Sequence, residues 1–189
     1  MSALCRIVLI LVVVSGALAP LASLADDGYP AGSATPEGAA CDLARAFIRR
    51  DAALFEQAVL PPFGGKESES RAQYESFLVN TKSAISEESK RPTERGPREI
   101  LKVFVARSLS MSGPASYAYA AFNFGDVKFV DVAVVMYSGE IYTNRTLVIM
   151  DKEKRWRVHP APDIHPLLSW GLNQESPSTV EIARKQTHP

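Results

Sequence analysis

Apolar and polar positions divide the chain into an unbroken apolar block at the start, a helical half and a strand half. Ile7 to Val14 is entirely apolar, too short to span a bilayer alone, and follows a single cation, Arg6. Gly16 and Pro20 then break helical continuation. Ser23-Leu24-Ala25 sets small side chains just before the acidic pair Asp26-Asp27. This pattern predicts a signal peptide over residues 1–25, cut after Ala25, and hence export to the periplasm or the cell exterior. A retained anchor is the competing reading, because weakly apolar residues continue from Gly16 to Ala25. A lipoprotein cut needs a cysteine at the cleavage point, and Cys5 lies ahead of the apolar core.

Residues 26–34 carry no periodicity and are rich in Gly, Ala, Ser and Pro, so a flexible leader is expected there. Thr35 suits a helix cap, Pro36 a first turn and Glu37 the positive end of the helix dipole. Leu43, Phe47, Leu54 and Phe55 recur at near-helical spacing, which predicts one helix running up to Pro61-Pro62. After the turn Phe63-Gly64-Gly65-Lys66, a second helix is expected over 67–88, with Tyr74, Phe77, Leu78, Thr81 and Ile85 as its core stripe. Ser89 to Pro97 reads as an exposed linker.

Beyond Arg98 the period changes from helical to alternating. Strands are expected over 100–109, 117–124, 127–137, 141–150 and 155–159, separated by turn chemistry at Ser112-Gly113-Pro114, Gly125-Asp126, Ser138-Gly139-Glu140 and Asp151 to Lys154. Short connections imply an antiparallel sheet. The fold expected is therefore α+β, with two N-terminal helices packed on a curved antiparallel sheet of about five strands. Pro160, Pro162 and Pro166 end regular structure, Leu167 to Leu172 makes one helical turn that lays Trp170 on the domain, and residues 173–189 form a polar, mobile tail. One domain spans 35–172.

Composition adds limits rather than a function. Loss of 25 of 189 residues leaves 164, enough for one core, with 20 basic against 21 acidic side chains once Arg6 is removed. That balance gives no electrostatic case for nucleic acid or an anionic membrane surface. Cys41 has no partner after the leader and Cys5 are removed, and its alanine- and leucine-rich surroundings predict a buried, unreactive thiol.

The helix, helix and antiparallel-sheet order resembles the nuclear-transport-factor-2-like, or cystatin-like cone, superfamily. Ala44-Arg45-Ala46-Phe47-Ile48-Arg49-Arg50-Asp51 looks like its opening helix with an acidic turn, and Arg155-Trp156-Arg157-Val158 looks like its closing strand. The resemblance implies a conical pocket, used in different members for small-molecule binding, for isomerase or cyclase chemistry, or only for dimerisation.

Among candidate catalytic groups, Asp131 interrupts an apolar strand, where burial would suit it as a general base with Tyr119 or Tyr137 as hydrogen-bond donor. A solvent-facing or edge-protecting Asp is the simpler reading. His159, Asp163 and His165 are individually metal-competent, yet the intervening prolines set no ligand geometry, so no metal is expected. No hydrolase elbow, zinc-protease helix, phosphate loop or dinucleotide fingerprint occurs, and no cofactor is implied. Trp170 and His159 are the candidate ligand- or partner-binding residues. The sequence therefore favours an exported non-catalytic binding module, taking a small apolar ligand or an envelope protein and compatible with a homodimer. The alternatives are a small isomerase- or cyclase-like enzyme, or an envelope inhibitor or immunity-type partner.

Overall fold

The Thr35 hydroxyl accepts the Gly38 amide at 3.0 Å, so the first helix begins with its orphan donors partly satisfied. The computed structural model describes residues 27–91, 95–106, 124–161 and 179–184. In it, α1 spans Pro36–Arg49 and stops earlier than hydrophobic periodicity alone suggests. Arg50 turns into the left-handed region at φ 55°, and Asp51 then caps a new helix, α2 (Ala52–Ala58), accepting the Ala53 and Leu54 amides at 2.9 Å. The single helix expected up to Pro61 is thus two, and the described residues hold three helices where two were expected. A left-handed arginine is tolerated because its side chain is well used. Its guanidinium donates to the carbonyls of Glu88 at 2.7 Å, Arg91 at 2.6 Å and Arg95 at 3.2 Å. The first of these closes the C-terminal turn of α3 (Glu69–Glu88), where a cation also complements the dipole.

Five strands follow: β1 (Pro97–Ala106), β2 (Val127–Met136), β3 (Ile141–Met150), β4 (Trp156–His159) and β5 (Thr179–Glu181). They form an open antiparallel sheet in the order β4-β3-β2-β1-β5. The expected strand 117–124 lies outside the described residues, apart from Phe124. One described strand, β5, comes from the segment read as a polar tail: Val180 pairs with Val105, and the Ile182 amide donates to Val103 O at 2.8 Å. Three residues are too few for a periodic signal, and the order comes from the free edge of β1.

Alternation decides what each face of the sheet meets. Val130, Val132 and Val148 point towards Ala39, Ala40, Leu43 and Ala46 of α1 and form the main core. Val127, Phe129, Leu147 and Ile149 point the other way and pack with Leu60, Phe63 and Phe124 in a second, smaller core. Val59 and Leu60 join both, since Val59 bridges Val158 in parallel and the Leu60 amide donates to Val158 O at 2.8 Å.

The segment expected as a flexible leader is held on the domain from Asp27 onwards. Tyr29 is buried and its hydroxyl donates to Leu101 O at 2.6 Å, while Ser33 O accepts the Trp156 amide at 2.8 Å. Arg45, only 1% exposed, reaches Asp27 with two nitrogens, at 2.6 and 2.8 Å, and also Asp42 and the carbonyls of Tyr29 and Pro30. Gly38 permits this close approach, because a Cβ there would overlap the Gly32 carbonyl oxygen.

Candidate functional site

Ala40, Leu43, Ala44 and Phe47 recur at helical spacing and share one face of α1. That face forms one wall of a cleft of about 260 Å³, with Val132, Val134 and Met136 of β2 opposite it. Tyr142, Asn144 and Thr146 of β3 continue the opposite wall, and they lie together because Val134 pairs with Tyr142, Val132 with Asn144 and Val130 with Thr146. The Thr146 hydroxyl is spent on Val130 O at 3.0 Å, so Asn144 and Tyr142 carry the polar groups available to a ligand.

Phe47 and Pro97 also line a second cleft, of about 480 Å³, so the two compartments adjoin. Phe47 is 40% exposed at this junction and packs edge-on against Phe55, with ring centroids 6.0 Å apart. Asn80, Thr81, Ala84, Ile85 and Glu88 of α3 form the far wall, and Arg50, Arg95 and Gly96 close the end. The result is a largely apolar trough under α1, with neutral polar groups at the β3 end and charged groups at the α3 end. A third groove, about 400 Å³ between α2 and α3, has charges that are already paired: Lys82 with Glu56 across it, and Glu75 with Arg71.

Among the described residues, those singled out in the sequence, Asp131, Tyr137 and His159, do not line this trough. Asp131 lies between Val130 and Val132 and therefore projects from the face opposite α1. In place of the apolar enclosure that a catalytic role would need it has a cation, since Arg145 Nε and Nη2 each donate to one of its oxygens at 2.7 Å. That carboxylate holds the Arg145 guanidinium even above its ordinary pKa. Tyr137 is exposed in the β2–β3 turn, and Tyr119 and Trp170 lie outside the described residues, as do Asp163 and His165. His159 is fully buried rather than presented to a partner: its ring stacks on Tyr74 at 4.6 Å and meets Phe63 edge-on. Among the described residues, no group of three or more His, Cys, Asp and Glu is placed to hold a metal ion. Cys41 is buried in the main core, and burial pushes its thiol up to about 12 despite the nearby Arg45 charge, which leaves it protonated at neutral pH.

The trough was not read from sequence, because its walls come from five elements and no local motif marks them. The one local sign was the α1 face itself, where Leu43 and Phe47 recur. No described helix is long and apolar enough to cross a membrane. No protein-family model matches the chain, and no curated protein or solved structure matches it at a significant level.

Proposed function

We propose that the protein is a small exported binding module that takes an apolar small molecule in the trough beneath α1. The observation that carries this reading is the pair of adjoining clefts sharing Phe47 and Pro97, with an apolar floor and a few polar groups at each end. Their volumes fall in the range of small-molecule sites. A non-catalytic role fits the lining, where Asn144 and Tyr142 are neutral and the Glu88 carboxylate is engaged by Arg91 at 2.9 Å. The signal-peptide pattern over 1–25 supports export. The acidic break at Asp51 and the closing Trp156 strand suit the nuclear-transport-factor-2-like layout, in which this region is the pocket.

A neutral solvatochromic dye such as Nile red tests the reading on the purified protein. Saturable binding is expected, and Ala44→Trp, which fills the cleft from α1, should abolish it while leaving the circular dichroism spectrum unchanged. Absence of saturable binding, or binding indifferent to Ala44→Trp in a folded variant, overturns it.

A second reading has one observation of its own: Tyr137, Ile141 and Tyr142 are each exposed at the β2–β3 end, with Ile141 and Tyr142 on opposite faces of the hairpin, which leaves its tip open to contact with a protein partner. It would take precedence if the dye failed and Ile141→Lys abolished self-association or complex formation seen by light scattering.

A further inference from the structure

The charges at the α3 end of the trough are not balanced, and their partners show which of them is left for a ligand. Glu88 is neutralised by Arg91, which lies outside the lining. The Arg50 guanidinium is committed to the carbonyls of Glu88, Arg91 and Arg95. Arg95 alone among the described lining residues presents a charged group with no ion-pair or hydrogen-bond partner for its side chain. Its backbone is held at its own carbonyl and at the next residue: Arg95 O accepts from Arg50, and Gly96 O accepts the Tyr137 amide at 3.0 Å. The guanidinium therefore starts from a set point at the mouth of the larger cleft. At the other end, Asn144 and Tyr142 offer dipoles without charge.

Resting on the binding reading above, we infer that the trough takes a single-headed anionic amphiphile, a carboxylate on an aliphatic chain. The head group meets Arg95, whose planar fork matches a carboxylate in two parallel hydrogen bonds. The chain runs past Phe47 and Pro97 into the cleft between α1 and β2, where Val132, Val134 and Met136 replace water around it. A cationic amphiphile is disfavoured at the same mouth, because Arg50 and Arg95 both stand there.

Decanoate, decanol and decyltrimethylammonium, each below its micelle concentration, separate charge from apolar length when titrated against the purified protein by calorimetry at low salt. Decanoate is expected to bind about tenfold more tightly than decanol, as one charge-assisted contact at a partly exposed site provides, and the cation more weakly than either. In Arg95→Gln the decanoate advantage should vanish while decanol affinity stays as it was, and in the wild type about 1 M salt should shrink the same advantage. Equal binding of decanoate and decanol, or an advantage that survives Arg95→Gln, overturns the inference while leaving the apolar trough standing. Binding of none of the three overturns the binding reading itself.

Discussion

Asp131 and Arg145 stand directly opposite each other on β2 and β3 and make a two-pronged ion pair on the face of the sheet turned away from α1. The Asp131 side chain is 13% exposed but that of Arg145 is 42%, so water screens the pair and its worth lies near the upper end of surface bridges. We expect a double-mutant cycle of Asp131→Asn and Arg145→Gln, read by urea unfolding, to give a coupling of about 0.5–1 kcal/mol. Dye binding in the trough should be untouched by either change. Loss of dye binding in folded Asp131→Asn would place the carboxylate on the cleft side and revive it as a catalytic candidate.

Arg45 is the opposite case, a charge fully removed from water. All five of its N–H groups are used, on Asp27, Asp42, Tyr29 O and Pro30 O. Arg45→Met leaves two carboxylates facing a hole and should cost about 3–5 kcal/mol, and Arg45→Lys should recover only part, since an ammonium cannot span the same fork. Limited proteolysis should then cut within residues 27–33, which Arg45 ties to α1. A variant with the wild-type urea midpoint and the wild-type cleavage pattern would mean that the buried cluster contributes nothing.

Acid should weaken the fold through two carboxylates. Burial pushes the Asp27 carboxyl up, but the Arg45 hydrogen bond and charge and the Tyr29 amide outweigh it and hold it below the ordinary value. Asp151 follows the same logic: burial raises it, and the amides of Arg155 and Glu153 in the β3–β4 turn bring it down further than that. A carboxyl with a depressed folded-state pKa contributes stability that is complete above its unfolded value, about 3.9, and is lost as pH falls through the folded one. The urea midpoint should be flat from neutrality down to about pH 5 and fall below about pH 4. Asp151→Asn should start lower at neutral pH and fall less steeply on acidification. An unchanged acid slope in that variant would assign the loss to other groups.

How far the sequence carried depended on whether partners were local. The β2–β3 hairpin was legible almost to the residue, because Ser138-Gly139-Glu140 and the alternating flanks act within a dozen positions, and Gly139 takes the positive φ of 86° that the turn demands. Thr35-Pro36-Glu37 marked the start of α1 for the same reason. The break at Arg50 and Asp51 was hidden, since apolar spacing runs straight across it and the carbonyls that satisfy Arg50 lie 38 to 45 residues away. Distance hid the leader too: Asp27 and Tyr29 look unstructured until Arg45 and Leu101 are brought beside them. The Arg145 partner of Asp131 was hidden because an apolar neighbourhood along the chain says nothing about which residue faces it on the next strand. The trough shares that limit, being assembled from α1, α3 and three strands.

Tyr74 and His159 give a last test, in the smaller core. The Tyr74 ring lies 4.6 Å from His159 at an interplanar angle of 9°, and its hydroxyl donates to Leu60 O at 2.9 Å in a fully buried setting. Burial raises the phenol well above its ordinary pKa, so it stays protonated and keeps donating wherever the fold survives. Tyr74→Phe preserves the stack but strips the Leu60 carbonyl of this donor, and should cost about 1–2 kcal/mol. Tyr74→Ala also empties the space beside His159 and Phe63, and should cost about 3–5 kcal/mol. The gap between the two variants, read from urea unfolding, measures the ring against the hydroxyl. If Phe were as damaging as Ala, the hydrogen bond to the turn after α2 would be what fixes α3 on the domain. If Phe were neutral, ring packing alone would hold it.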